Sequence, residues 1–218
     1  MTVVPLDTDH SGVQRLDGRL RDLLAGKKIV MTGVTGFIGE QLLWKILTEL
    51  PDTVPAVLVR RKGSATARDR MVSAIKKPIF NALRDAAGGA AELLDSRIEV
   101  IEGDLPNVPE LPADLDVVVH CAGDVSFDPP IDQALTTNVI GTKALMDRML
   151  QAVSDENGDP RNVPHYVHIS TAYTAGRRRG AIPEAPHVHE IDYDSEAAAG
   201  IAMRELIEAE SRTSARLA

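Results

Sequence analysis

Three glycines at three-residue intervals stand where backbone chemistry could bind an anion. Gly33, Gly36 and Gly39 lie in "KIVMTGVTGFIGEQLL" (28–43), after a short apolar run and before a stretch of helical apolar spacing. A helix that begins directly after such a turn has unpaired N–H groups at the positive end of its dipole, and no side chain blocks them. The spacing is GxxGxxG, so the prediction depends on the strand before and the helix after. The segment predicts a site for a pyrophosphate, and a tight turn without a ligand is the alternative.

A basic cluster follows the second predicted strand. Arg60, Arg61 and Lys62 end the run "VLVRRKG", and the adenosine ribose of a bound dinucleotide lies near this strand end, about 20 residues beyond the glycines. Arginine suits a ribose 2′-phosphate through charge-assisted hydrogen bonds, whereas an acidic residue would accept from a free 2′-hydroxyl. The cluster therefore favours NADPH over NADH. A solvated basic turn is the alternative.

Small and turn-forming residues follow the third and fourth predicted strands, at the edge where ligands of open α/β sheets bind. We expect Asp104 and Leu105 of "EGDLP" to bracket the adenine. Cys121, Ala122 and Gly123 of "HCAGDVSFD" would let the backbone approach the cofactor closely. The plainer alternatives are that Asp104 is a turn or cap residue and Gly123 a turn glycine.

Asn138 and Cys121 are two further polar residues predicted near this edge of the sheet. Asn138 lies within a predicted helix, an unfavourable place unless its amide has a partner, so we expect it to hold a water or neighbouring backbone beside the cofactor. A plain exposed asparagine is the alternative. Cys121 is interpreted as a small packing residue and not as a thioester nucleophile, because the neighbouring base His120 points to the other face of the strand.

Short apolar runs alternate with segments of helical spacing, and this pattern predicts the elements that position these residues. The α/β class with a Rossmann-like, doubly wound parallel sheet follows from it. The predicted strands are 28–32, 56–60, 97–102, 115–120 and 165–170, and the predicted helices are 13–24, 37–50, 65–87, 131–153 and a last one from residue 196. We divide the chain into a leader (1–26) and an NAD(P)-binding domain (27–218).

Composition limits the function classes. The 218 residues are 44% hydrophobic, enough for one sizeable core, and carry a net charge of −8 that argues against nucleic acid as a partner. Cys121 is the single cysteine, so an intrachain disulfide is excluded. The sequence shows neither a targeting segment nor an apolar run of about 18 residues. We expect a soluble cytoplasmic protein without a transmembrane segment.

The motifs together resemble a known family. "TGVTGFIG", "GDL", "HCAGDVSFD", "TNVIGT" and "VHISTAYTAGRRRGAIPE" look like an extended short-chain dehydrogenase/reductase, specifically a fatty acyl-CoA reductase of bacterial type, over residues 26–184. The resemblance implies that NADPH reduces a long-chain acyl-CoA to fatty aldehyde or fatty alcohol. It implies pyrophosphate contacts from Gly33, Thr35, Gly36, Phe37 and Ile38, 2′-phosphate contacts from Arg60 and Arg61, adenine contacts from Asp104 and Leu105, contacts to the cofactor's centre from residues 121–123, and Ser170 as the catalytic serine.

The sequence departs from that family in one respect. The family's proton donor is the tyrosine of a YxxxK helix, but Tyr166, Tyr173 and Tyr193 are each followed four positions on by a residue other than lysine. We therefore expect the sheet to be incomplete on its C-terminal side, with the YxxxK helix and the substrate-binding portion lying beyond Ala218. A bare apolar face should then cause self-association, as a homo-oligomer, or disorder beyond about residue 175. Cofactor binding with little turnover is expected.

Other residues give weaker indications. His187 and His189 lack a full ligand set, so no metal site is expected. The arginines of "GRRRG" (176–180) could bind the phosphates of coenzyme A or form a solvated turn. Two other functions stay open: a sugar-nucleotide epimerase or dehydratase, which would usually carry YxxxK and an acidic residue after the second strand, and a non-catalytic NADP(H)-binding regulator.

Overall fold

A parallel five-stranded sheet forms the centre of the molecule. The computed structural model describes residues 19–176, 178–185 and 191–212. In the described part of the chain the sheet has the order β3-β2-β1-β4-β5, and every pair is parallel. The strands are β1 (Lys28–Thr32), β2 (Ala56–Val59), β3 (Glu99–Glu102), β4 (Leu115–His120) and β5 (His165–His168). The predicted Rossmann-like α/β fold is confirmed.

Helices connect the strands on both faces. They are α1 (Arg19–Leu24), α2 (Phe37–Glu49), α3 (Ala67–Ile75), α4 (Asn81–Ala87), α5 (Ala90–Arg97), α6 (Ile131–Leu135), α7 (Gly141–Ala152) and α8 (Tyr193–Arg212). Short 3₁₀ turns cover Pro78–Phe80 and Ala172–Ala175, and one wide turn of π-helix (Thr136–Ile140) joins α6 to α7. None of the helices within the described ranges has the length and apolar content needed to cross a membrane.

Two hydrophobic cores, one on each face, hold the sheet. Alternate residues of β1 point to opposite faces: Ile29 and Met31 pack in the core beneath α2, α3 and α5, whereas Val30 packs in the core beneath α7. β1 and β2 are buried on both faces, which explains why their sequences are apolar without alternation. Because all five strands are parallel, their carboxyl ends lie at the same edge of the sheet.

The segment predicted as one helix over 65–87 is wrong in detail. A capping box between Thr66 and Asp69 starts α3, but the helix ends before Pro78, whose ring cannot continue the backbone hydrogen bonds. A second helix, α4, follows, and the unpredicted α5 begins after Gly89. Because α5 runs to Arg97, β3 starts at residue 99 and not at 97.

Helices lie at both ends of the described chain. The predicted leader helix over 13–24 is described only from Arg19 onward, as α1. Beyond residue 175 the described chain forms α8, which packs against α6, and the expected self-association or disorder of this part of the chain stays a prediction. Gly200 makes this crossing close, since a Cβ there would lie 2.3 Å from Cδ1 of Leu135.

The strand order creates a crevice at one point of the sheet edge. The chain proceeds from β1 outward to β2 and β3, and then returns to the other side of β1 to form β4 and β5. The loops that leave β1 and β4 consequently diverge to opposite faces. Open α/β sheets bind ligands at such a reversal, beyond the carboxyl ends of the strands.

Candidate functional site

Two of the three glycines are required by packing within the protein. Gly33 has a φ of +71°, and a Cβ there would lie 2.5 Å from the backbone nitrogen of Ala122. A Cβ on Gly39 would lie 2.3 Å from the carbonyl oxygen of Gly33. These residues bring the loop after β1 against the loop after β4 and seat α2 on the first loop.

Gly36 stands at the start of α2 and has another role. Its N–H donates to the Gly33 carbonyl at 2.9 Å, its φ of −91° suits any residue, and a Cβ would meet only the Gly33 oxygen, at 3.2 Å. No side chain caps the helix. By helix geometry the amides of Phe37, Ile38 and Gly39 have no acceptor within α2. The backbone at this helix start is thus open to an anion.

A cleft of about 690 Å³ lies beyond the strand ends. Among the predicted residues it brings together Gly33, Thr35, Gly36, Arg60, Asp104, Leu105, Cys121, Ala122 and Gly123. The lining does not include Phe37, Ile38, Gly39, Arg61, Asn138 or Ser170. The side chain of Phe37 is 84% exposed, so Phe37 and Ile38 can offer a phosphate their backbone amides and not their side chains.

Two arginines line the cleft near the end of β2, and one of them, Arg70, was not predicted from the sequence. Arg60 lines the cleft, with its guanidinium 3.8 Å from the Asp104 carboxylate. Arg70, from the first turn of α3, also lines it; Nη1 donates to the carbonyl of Arg60 at 2.6 Å and Nη2 to Oγ1 of Thr35 at 3.1 Å. The guanidinium of Arg70 therefore joins the glycine loop to the end of β2.

Arg61 is held away from the cleft. Its Nη1 donates to Oε1 of Glu102 at 3.0 Å, and Oε2 of Glu102 accepts from the Ala67 amide at 2.8 Å. The hydrogen bond from Ala67 and then the one from Arg61 lower the pKa of the Glu102 carboxyl, so it stays ionised and keeps its partner. Lys62 forms a turn by pairing its backbone with Ala65. This part of the basic cluster fits the alternative of a solvated turn.

The loop after β3 forms one wall of the cleft, where adenine contacts were expected. Oδ1 of Asp104 accepts from the Leu105 amide at 2.9 Å, which makes Asp104 a turn residue as well as part of the lining. Leu105 is buried in the second core and contacts α7 at Gly141, where a Cβ would lie 2.7 Å from the leucine Cβ. Its position is therefore fixed by packing.

The loop after β4 forms the opposite side of the cleft. Burial raises the pKa of the Cys121 thiol, which fits a packing residue and not a nucleophile. Asn138 uses both ends of its amide on Asp124: Oδ1 accepts from the Asp124 nitrogen at 2.7 Å and Nδ2 donates to its oxygen at 3.0 Å. Asn138 is exposed, but both ends of its amide hold neighbouring backbone as expected, so it is not a plain exposed asparagine.

The residues beyond β5 lie apart from the cleft lining. Ser170 is exposed and stands two residues past the end of β5. Tyr173 is 83% exposed, and its partner in the YxxxK-like spacing, Arg177, lies outside the described residues. The described residues contain no cluster of three or more histidine, cysteine or acidic side chains suited to a metal, and His187 and His189 fall outside them.

The match to a family model decides where the chain belongs. The model of an NAD-binding family described as male sterility protein matches residues 31–213, from the end of β1 to the end of α8. The chain belongs to the male sterility protein family. The predicted NAD(P)-binding domain and a nicotinamide cofactor agree with this membership.

Curated relatives of this male sterility family protein share one name. Fatty acyl-CoA reductase 1 of Xenopus laevis is 31% identical, over 71% of this chain and 30% of its own length. The human fatty acyl-CoA reductase 1 is 30% identical, over 77% and 31%. Fatty acyl-CoA reductase 8 of Arabidopsis thaliana is 30% identical, over 77% and 35%. The chain spans about a third of the length of these relatives.

Solved structures share the fold. The reductase domain of a non-ribosomal peptide synthetase from Mycobacterium tuberculosis gives a TM-score of 0.52 at 19% identity and covers 88% of this chain and 49% of its own. A thiolation-reductase di-domain from an archaeal non-ribosomal peptide synthetase gives 0.51 at 20% identity, over 85% and 49%. At such identity the likeness concerns the fold alone.

Several cleft residues of this male sterility family protein were missed from the sequence. Besides Arg70, they are Asp132, Gln133, Thr136 and Thr137, from α6 and the wide turn. The sequence did contain one indication for Arg70. A cation in the first turn of a helix opposes the helix dipole, so its side chain is expected to have a compensating contact elsewhere. The residues of α6 and the wide turn carried no such signal in their spacing.

Proposed function

We propose that this chain is the NADPH-binding part of a fatty acyl-CoA reductase. The observation that carries the proposal is that one cleft is lined by both the uncapped start of α2 at Gly36 and the guanidinium groups of Arg60 and Arg70. The helix start suits a pyrophosphate, and the two arginines suit a ribose 2′-phosphate. The names of the curated relatives support a fatty acyl-CoA as the substrate, and a long acyl chain is part of the proposal.

The choice of NADPH over NADH rests on charge at the end of β2. Two cleft-lining arginines lie there, and the only carboxylate among the lining residues near them, Asp104, lies 3.8 Å from Arg60. A 2′-phosphate would replace this exposed pairing by stronger bonds to Arg60 and Arg70, whereas a 2′-hydroxyl would gain little. Arg61 contributes less than the sequence indicated, because Glu102 holds it.

In the proposed reaction the chain binds and orients, and the cofactor supplies the reducing power. When bound, NADPH would supply a hydride to the thioester carbonyl carbon, and loss of coenzyme A would leave an aldehyde. A second hydride and a proton would convert the aldehyde to an alcohol. By the family resemblance, we assign to the hydroxyl of Ser170, which is exposed and outside the cleft lining, a hydrogen bond to the carbonyl oxygen. No tyrosine of the 218 residues is followed four positions on by lysine, so we expect little turnover from this chain alone.

The test is a titration of the chain with NADPH and with NADH, followed by fluorescence, beside an assay of NADPH oxidation with palmitoyl-CoA. We expect saturable binding with NADPH at least tenfold tighter than NADH, and turnover far below that of a full-length reductase. Equal affinities would overturn the choice of NADPH. Binding of neither nucleotide would overturn the proposal, and turnover at the level of a full-length reductase would overturn the expectation of a weak catalyst.

A second candidate is a non-catalytic NADP(H)-binding regulator, a function for which the tyrosines and lysines of these 218 residues, none spaced as YxxxK, would suffice. Such a regulator would bind NADPH in the same way. It would not reduce palmitoyl-CoA, even when a longer form of the protein is assayed with NADPH. We also propose a cytoplasmic location, because the single cysteine cannot form an intrachain disulfide. Self-association as a homo-oligomer stays a prediction, to be checked by the sedimentation of the chain.

A further inference from the structure

A fully buried histidine lies directly behind the cleft. His120, the last residue of β4, is 0% exposed. Its Nδ1 lies 2.6 Å from Oγ1 of Thr32, the last residue of β1, and its Nε2 lies 3.1 Å from Oγ1 of Thr142 in α7. The ring thus bridges two strands and a helix, and the function proposed above gives it no role.

The surrounding hydrogen bonds determine where the protons lie. Oγ1 of Thr142 donates its single proton to the carbonyl of Asn138 at 2.9 Å, so it must accept from Nε2–H of the imidazole. Nδ1 is then an acceptor, and the hydroxyl of Thr32 donates a hydrogen bond to it. The lone pairs of Oγ1 of Thr32 remain available, and one of them accepts a hydrogen bond from the backbone N–H of Ala122 at 3.1 Å. The Nε2–H tautomer is the assignment in which every group of this chain is satisfied.

The chain of bonds has a direction and begins at the cleft. It runs from the Ala122 amide through Thr32, His120 and Thr142 to the carbonyl of Asn138. We call it the His120 relay. Beyond the relay, the amide of Asn138 holds both backbone groups of Asp124. The segment 122–124 is therefore held at one end by Thr32 and at the other by Asn138, with the relay joining the two holders.

Burial supports the neutral ring that the relay requires. Desolvation, and after it the nearby ring of His168, lowers the pKa of His120 to about 4. The ring of His168 stacks on that of His120 with centroids 5.1 Å apart, and Tyr166 lies 6.1 Å away. A charged imidazole would have two donors and no acceptor for the Thr32 hydroxyl, so the relay exists only with the neutral form.

The held segment lies on the side of the cleft away from the adenosine. The 2′-phosphate site is proposed at the end of β2, on one side of β1, whereas residues 122–124 follow β4, on the other side. We propose that His120 is a positioning residue, which through its relay fixes the segment 122–124 as the wall for the nicotinamide half of the dinucleotide. This inference rests on the proposed binding of NADPH.

The experiment breaks the relay at Thr142, which does not line the cleft, and measures two ligands. In Thr142→Val the methyl replaces the hydroxyl at nearly equal size, and Thr142→Ser restores the hydroxyl. Thr48→Val is the matched control, because Thr48 also donates to the carbonyl four residues before it, that of Trp44 at 2.9 Å, far from the relay. The ligands are NADPH and adenosine 2′,5′-bisphosphate, which lacks the nicotinamide half.

We expect Thr142→Val to weaken NADPH binding about tenfold, because a loop released from one buried hydrogen bond spends less time in the binding-competent form. The affinity for adenosine 2′,5′-bisphosphate should change less than about twofold, and Thr142→Ser and Thr48→Val should bind as the unaltered chain does. Equal losses for both ligands, or no loss for either, would overturn the positioning role. Failure of the unaltered chain to bind NADPH would instead overturn the proposed function.

A second measurement keeps the inference testable if Thr142→Val does not fold. The nitrogen chemical shifts of the imidazole, recorded by NMR on the ¹⁵N-labelled unaltered chain at neutral pH, distinguish the tautomers. We expect His120 to be neutral with the proton on Nε2. A proton on Nδ1, or a charged ring, would break the order of donors and acceptors and overturn the relay.

Discussion

The backbone of Gly33 lies so close to that of Ala122 that a Cβ on residue 33 would stand 2.5 Å from the Ala122 nitrogen. That same nitrogen donates to Oγ1 of Thr32, the residue before Gly33. The loop after β1 and the loop after β4 therefore pack directly against each other.

Gly33→Ala should destabilise the fold by more than an ordinary glycine replacement. The new methyl group would collide with the peptide between Cys121 and Ala122, in addition to the strain of a φ of +71°. We expect a loss of about 3 kcal/mol or more in the free energy of unfolding, measured with urea. Gly63→Ala is the control, because its φ is +59° but nothing lies within 4 Å of the new Cβ. A loss there of about 1 kcal/mol is expected, and equal losses would contradict the packing argument.

Gly36→Val should remove nucleotide binding while the chain stays folded. The backbone conformation of Gly36 suits a branched residue, and the added side chain would occupy the cleft in front of the helix start. We expect NADPH affinity to fall at least about a hundredfold, with the thermal midpoint changed by only a few degrees. Calorimetric titration and thermal unfolding monitored by circular dichroism give the two values. Unchanged affinity would exclude the helix start as the phosphate site.

Arg70→Ala should reduce the preference for NADPH over NADH. Arg70 faces the cleft and ties Thr35 to the end of β2, so its loss removes a cation near the 2′-phosphate. We expect NADPH affinity to fall by about tenfold or more and NADH affinity to fall much less. Arg68→Ala is the control on the same helix, since Arg68 pairs with the exposed Asp95 carboxylate. A fall of the same size with both nucleotides would indicate a purely structural role for Arg70.

The sequence predicted the parts of the site that depend on local pattern. The order of strand, glycine turn and helix around Gly33 is readable because each element has its own periodicity. The break at Pro78 was missed because apolar spacing continues across it. Contacts between distant residues carry no local signal: Arg70 meets Thr35 across 35 residues, and His120 meets Thr32 across 88. The role of these side chains could be found only from the folded arrangement.

The stability of the chain should fall between about pH 6.5 and pH 4 because of His120. Burial lowers the pKa of His120 in the folded chain from 6.5 to about 4, so in this range the unfolded chain takes up a proton that the folded chain refuses. The contribution of the neutral His120 to the free energy of unfolding should therefore be fully present above pH 6.5. On acidification towards pH 4 the free energy of unfolding should decline by on the order of 3 kcal/mol at most. Urea unfolding at several pH values measures the slope. His120→Asn should flatten it, whereas His165→Asn, at an exposed position of β5, should leave it unchanged. A slope that persists in His120→Asn would assign the effect to other groups.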